Sequence, residues 1–223
     1  MKVGKSFSYV FDDEQWIGKI GIGAVLSLFV MFLIPIPLLI GWAVGVTRNV
    51  MDDLENPMPA WEDWGQLFSD GLKVLAAQLV YTVPFWILLC IAGAFAAAAG
   101  ADSEGLQALG FLGFGLLISV ALLFSIALFF LSPAIIIQYV RTADFGACFR
   151  FGEVFAIARD NIVDIIITFL ATWVASLAIG LISLVPCVGW IAGLAALPYI
   201  SAVSGYLYGQ IAAGDAGKKM EAA

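Results

Sequence analysis

Chemistry in this sequence is confined to the edges of its apolar runs. Asp12, Asp13, Glu62, Asp63, Asp70, Asp160 and Asp164 put carboxylates there. Carboxylates grouped in this way can bind a cation or exchange protons. They equally suit helix caps and a solvated face, and that structural role is preferred. Arg159–Asp160–Asn161 with Asp164 is the sharpest polar cluster. Arg159 suits a lipid phosphate, and Asp164 sits closest to the hydrocarbon. The plainer alternative is an interfacial ion pair with a helix cap. A second cluster is the string PAWEDWGQLFSDG at Pro59–Gly71. Its Trp61, Asp63, Trp64, Phe68 and Asp70 suit contact with a lipid headgroup or a partner surface.

Other chemistry is excluded by what is missing. There is no histidine, which removes His-ligated haem, HExxH zinc sites and His-based acid–base catalysis. Cys90, Cys148 and Cys187 form no CxxC pair, and buried free thiols are preferred to a Cys90–Cys187 bridge. No nucleophile motif stands out. The expectation is no catalytic residue, no cofactor, no metal ligand and a non-enzymatic role. The net charge of −7 argues against a nucleic-acid partner.

The elements that must hold these residues follow from the charges. Of 223 residues, 62% are hydrophobic and 12% charged, against about a quarter charged in a soluble domain. Mean hydropathy is +1.01. No charge occurs in Ile20–Thr47, Val74–Ala101, Gly105–Val140 or Ile165–Gly214. A spanning helix needs about 20 apolar residues, whereas barrel strands are about 10 residues of alternating polarity. The expected fold is an all-α integral membrane protein. It is a polytopic bundle of four full spans plus a Pro-broken first hairpin, five or six apolar helices in all, with interfacial amphipathic helices.

A single membrane domain over 1–223 divides as follows. Residues 1–19 form an N-terminal interfacial segment, 20–47 the broken hairpin, and 48–73 a cytoplasmic aromatic and acidic segment. Residues 74–141 form a second hairpin, 142–161 an interfacial helix, 162–212 a third hairpin, and 213–223 a tail. In the third hairpin Val185–Gly189 is the turn between Ile162–Leu184 and Trp190–Ala212. The N-terminus does not read as a cleavable signal, because Asp12, Asp13 and Glu14 occupy the place of an apolar core.

Pro35 and Pro37 mark the break in the first apolar segment. If that segment re-enters, every basic residue up to Lys219 falls on one side of the membrane. If it spans once, Lys2, Lys5 and Lys19 lie opposite the rest. The positive-inside rule favours re-entry, with both termini cytoplasmic.

A loose threefold pattern then appears, in which an aromatic, acidic preamble precedes each hairpin and a proline (Pro37, Pro133, Pro198) lies in each return helix. Local signals accompany it. Asp12-x-x-Gln15 reads as a capping box. Pro59 suits a first helical position, with Glu62 and Asp63 in the first turn. Phe145, Phe149, Phe151, Val154 and Phe155 make an interfacial apolar face, and Asn161-x-x-Asp164 caps the next span.

Within the spans the polar groups are hydroxyls and amides, which counts against an ion-coupled carrier. Small residues such as Ala92–Gly100 (AGAFAAAAG) permit close helix approach. Trp16, Trp61, Trp64 and Trp190 read as interfacial anchors. Trp42, Trp86 and Trp173 read as packing or lipid contacts.

Certain strings carry a resemblance. They are Phe7–Trp16 with its Asp-Asp, the Gly-rich Gly18–Gly23, and Gly41-x-x-x-Gly45 before Thr47–Arg48. The Pro59–Gly71 string and Arg159–Asn161 complete the set. Together they resemble the prokaryotic membrane proteins grouped as domain of unknown function 4013. The resemblance implies the plasma (inner) membrane of a prokaryote and supports the architecture; it supplies no catalytic residue, substrate or cofactor. The plan is also similar to the membrane part of some glycerophosphodiester phosphodiesterases, but the chain holds no hydrolase domain.

The first expectation for function is a scaffold or accessory subunit of a membrane complex. Its partners would be membrane lipids and other membrane subunits or further copies of itself. A transporter or channel for a small or lipophilic solute comes second, and a lipid-interacting enzyme third.

Overall fold

The computed structural model describes residues 1–185 and 188–221, and side chains up to residue 214. The described residues form eight α-helices and no strand. They are α1 (Val3–Asp12), α2 (Trp16–Leu28), α3 (Pro35–Met51), α4 (Trp64–Ala99), α5 (Glu104–Thr142), α6 (Phe151–Asp160), α7 (Ile162–Ile182) and α8 (Val188–Glu221). Four helices are long and apolar enough to cross a membrane: α4, α5, α7 and α8 over Val188–Gly214; α2 is a shorter apolar helix. The expected turn residues Pro186 and Cys187 lie outside the described residues.

The two longest helices start where a side chain replaces a missing backbone partner. Asp63 caps α4 by accepting from the Gln66 amide at 3.1 Å. Ser103 caps α5 by accepting from Leu106 at 3.3 Å. Helix α4 therefore begins about ten residues before its apolar run, and Pro59 is not its first residue as expected. At about 1.5 Å per residue, the 36 residues of α4 and the 39 of α5 exceed a hydrocarbon core of about 30 Å. Both helices thus have ends outside the hydrocarbon.

The first apolar segment is broken, but upstream of its prolines. Helix α2 stops at Leu28, Val30–Phe32 makes a 3-10 turn, and Leu33 turns left-handed at φ 64°. Pro35 and Pro37 then open α3, where a missing N–H costs no helical bond. The prolines start a helix rather than kink one. The expected capping boxes are also displaced. Asp13, not Asp12, accepts from the Gln15 amide at 2.8 Å. Asn161 turns back to donate to the Ile157 carbonyl at 3.0 Å and makes no side-chain cap bond to α7.

Helix α3 is the central element, packed between α4 and α8. Helix α5 lies against α4, while α7 and α2 lie against α8. Helix α1 runs back along α8: the Lys2 amide donates to Gln210 Oε1 at 2.6 Å and the Tyr9 hydroxyl to the Ala202 carbonyl at 2.9 Å. Where α3 crosses α4, Gly41 and Gly71 let the two backbones touch. A Cβ on Gly41 would run into the Leu67 carbonyl, and one on Gly71 into the Pro37 carbonyl.

The core lies toward the end of the bundle that holds the N-terminus. One cluster joins Val44, Val74, Tyr81, Ile135, Val154 and Ile211. The other joins Val10, Trp42, Met58, Trp61, Val203 and Leu207. Each fully buried large aliphatic side chain contributes about 1.5–3 kcal/mol. Away from this end, α4 and α5 run out as an arm whose small residues interlock. A Cβ on Gly110 would meet the Ala99 backbone, and one on Gly113 the Phe95 ring. Only 6% of the most apolar stretch of α5 is buried inside the chain. In helix α6 only Val154 of the expected apolar face enters the core; Phe151 and Phe155 point outward.

Candidate functional site

The densest polar arrangement centres on Asp70, two turns into α4 and 3% exposed. Arg48, in the last turn of α3, places Nη1 at 3.1 Å and Nη2 at 3.2 Å from Oδ2. The Tyr139 hydroxyl of α5 donates to Oδ1 at 2.6 Å, and Gln66 Nε2 donates to the same atom at 3.0 Å. Lys73 stands 3.9 Å away. Both oxygens of the carboxylate are met by donors or a cation, which leaves no free position for a substrate. Its work is to tie α3, α4 and α5 together. The close approach at Gly41 and Gly71 brings Arg48 within reach.

Beside it, residues 52–63 form an irregular strap between α3 and α4. Three consecutive carbonyls of the strap are taken by side chains from the helices. Asn49 Nδ2 binds the Pro57 carbonyl at 2.9 Å, Lys19 Nζ that of Met58 at 2.7 Å, and Trp42 Nε1 that of Pro59 at 3.1 Å. A segment outside helix or sheet lacks a regular ladder of backbone bonds, and a buried carbonyl must find a donor. Lys19 also pairs with Asp13 at 2.7 Å, both side chains nearly buried. Trp61 stacks on Trp42 with centroids 5.6 Å apart and planes 2° from parallel, and its Nε1 donates to the Lys19 carbonyl at 2.8 Å. Trp61 is thus a core residue, not the interfacial anchor expected. Its polar edge is satisfied by backbone, which removes the reason to sit at a wet boundary.

The remaining expected site residues are dispersed. Asp63 is the α4 cap; Trp64 and Phe68 are exposed on α4. Arg159 pairs with its neighbour Asp160 at 3.0 Å, both largely solvent-facing. Asn161 is buried and Asp164 half-buried. Trp61 and Asp63 lie on the strap and Asp70 in the helix that follows it, while Arg159–Asp164 is a separate patch. Sequence reading missed Arg48, Tyr139, Gln66, Trp42 and Lys19 as partners. The available signals were Lys19 and Arg48, the cations that bound the first uncharged run.

Of the cavities among the described residues, two adjoin the N-terminal helices. One, of about 330 Å3, lies at the N-terminal end among Lys5, Tyr9, Asp12, Asp53, Glu55 and Tyr206. The other is an apolar groove of about 390 Å3 where Phe11, Trp16 and Ile20 face Val174 and Ile179, with Ala195 as floor. Among the described residues no group of His, Cys, Asp or Glu is arranged to hold a metal ion. Several span hydroxyls bond to their own helix, as Thr168 does to Asp164 and Ser176 to Thr172, whereas Ser132 of α5 accepts from Gln78 Nε2 of α4 at 2.9 Å. Burial pushes the Tyr9 phenol up, aided by the fields of Tyr206, Tyr199 and Asp13. It pushes the Cys148 thiol up to about 11, with Asp144 contributing. Cys90 and Cys148 are free thiols; Cys148 is buried as expected, whereas Cys90 is exposed.

A family model described as "Protein of unknown function (DUF4013)" matches residues 24–188. No curated protein and no solved structure matches the chain.

Proposed function

The chain belongs to this family of unknown function, and on that premise we propose that it is a non-enzymatic scaffold or accessory subunit of a membrane complex. Its place would be the plasma membrane of a prokaryote, with both termini cytoplasmic. The observation that carries this reading is the α4–α5 arm. Its polar side chains are few, and its apolar surface is left uncovered by the rest of the chain. On the open side of α4, Gly93 has empty space where a Cβ would stand. An uncovered small residue lets another helix approach closely. Meanwhile most interior polar groups among the described residues are spent on bonds that hold the fold, with Gln210 Nε2 the exception.

The test is native mass in mild detergent from cells expressing the chain at natural level. A complex heavier than the monomer is expected, and Gly93→Leu should disperse it while leaving the monomer folded. A wild-type monomer with no partner would overturn the reading.

The apolar groove favours a second reading, handling of a lipophilic solute. A fluorescent hydrophobic probe should then bind the wild type and be excluded by Ala178→Trp, which fills the groove. Equal binding by both would dismiss it.

A further inference from the structure

The first apolar hairpin, α2 with α3, ends in a tip without a polar side chain. Phe29 to Ile40 is apolar throughout, and Met31, Phe32, Leu33 and Ile34 are each at least 68% exposed. The backbone of the tip is closed as well. A helix start leaves four N–H groups without an internal partner. At α3 these positions are Ile34, Pro35, Ile36 and Pro37. The two prolines carry no N–H. Ile34 donates to the Phe32 carbonyl at 2.8 Å and Ile36 to the Leu33 carbonyl at 3.2 Å. Where α2 ends, Phe29 donates to Leu26 at 3.0 Å, and Phe32 to Phe29 and Leu33 to Val30 at 2.9 Å. Helices α4 and α5, by contrast, start on the polar caps Asp63 and Ser103. The left-handed turn at Leu33 thus closes the hairpin with neither a polar side chain nor a free donor at the start of α3.

Such a tip suits hydrocarbon, where each unpaired backbone group is costly. It is also too short to cross. Arg48, at the root of α3, stands about 20 Å from Pro35 at about 1.5 Å per residue, against a hydrocarbon core of about 30 Å. Helix α8 is a second ruler. It runs alongside α3, with Gly205 against Ala43 and Val46 and Gly209 against Thr47 and Val50. On that register α8, which begins at Val188, extends about 12 Å beyond the start of α3. Helices associate in a bilayer through small or polar residues, and Phe29–Ile34 offers only bulky apolar ones. We propose that the α2–α3 hairpin enters and leaves the membrane through one face and that its tip, Phe29–Ile34, ends inside the hydrocarbon, covered by lipid acyl chains. The charges alone favour re-entry; the backbone and the two rulers add where the hairpin stops and what covers it. None of this depends on the α4–α5 arm, so it and the accessory-subunit reading fail separately.

The test uses the full chain, cysteine-free, in nanodiscs of phosphatidylethanolamine and phosphatidylglycerol. A spin label is placed at Ile17→Cys, Val25→Cys or Met31→Cys, all exposed positions along the hairpin. Collision with oxygen, which enters hydrocarbon, is compared with collision with a water-soluble nickel chelate. The oxygen-to-nickel ratio should rise several-fold from Ile17 through Val25 to Met31, and a label at Ser103→Cys, in a polar turn, should favour nickel. A ratio that stays flat, or that peaks at Val25 and falls again at Met31, would overturn the proposal, the second because the hairpin then crosses. Little collision with either reagent at Met31 would mean that protein covers the tip, and would sink the lipid assignment. An impermeant thiol reagent should leave Met31→Cys unlabelled in both intact cells and inverted vesicles. Labelling from either face would place the tip in water and contradict it.

Discussion

Gly41 of α3 and Gly71 of α4 meet backbone to backbone: a Cβ on Gly71 would lie 2.7 Å from the Gly41 nitrogen. No side chain separates the two helices at this point. The contact sets the distance at which Arg48 reaches Asp70 and Trp42 reaches the strap.

Gly71→Ala should therefore force the helices apart. The obstruction is backbone on both sides, so relief by a rotamer change is not available. A loss of about 1–3 kcal/mol or more is expected. Gly21→Ala, where open space surrounds the residue, should be neutral or stabilising by about 0.5–1 kcal/mol. Thermal melts in detergent compare the two; equal melting temperatures would contradict the crossing.

The Arg48–Asp70 pair should be asymmetric. Arg48 keeps 31% of its side chain exposed and Asp70 only 5%. Arg48→Met strands a buried carboxylate on Tyr139 and Gln66, whereas Asp70→Asn lets Arg48 turn to solvent. Breaking a fully buried pair costs about 3–5 kcal/mol, and the partial exposure of Arg48 lowers this toward about 2 kcal/mol. Arg48→Met should be the worse of the two, and the double variant should recover part of the loss. A double-mutant cycle on unfolding midpoints measures it.

Cys148 should be silent to thiol reagents at neutral pH. It is fully buried, and its thiol is pushed from 9.0 up to about 11. The folded chain holds this proton more tightly than the unfolded chain. The resulting stability is present below pH 9 and is lost as pH rises through about 11. In a Cys90→Ser, Cys187→Ser background, labelling should require unfolding at pH 8. Rapid labelling of the native protein would contradict the burial.

Sidedness can be read with single-cysteine reporters in a cysteine-free chain. Lys2 lies beside Gln210, and the α4–α5 turn near Ser103 lies at the opposite end of the bundle. Lys2→Cys should be protected from an impermeant reagent in intact cells, and Ser103→Cys should be labelled. The reverse pattern would invert the proposed orientation.

The uncharged runs alone determined that the chain is helical, that four helices can span, and that the first apolar segment is interrupted. Hydropathy and proline chemistry act over neighbouring residues, so a linear reading captures them. The sequence also singled out the Pro59–Gly71 string. It read the string as a surface element, because aromatic and acidic residues near an apolar run are common at membrane boundaries. Tertiary structure alone decided that Trp61 and Asp70 are interior. Their partners Lys19, Trp42, Arg48 and Tyr139 lie 19 to 69 residues away along the chain, beyond any local pattern. A buried polar group is decided by what satisfies it, and only folding brings those groups together.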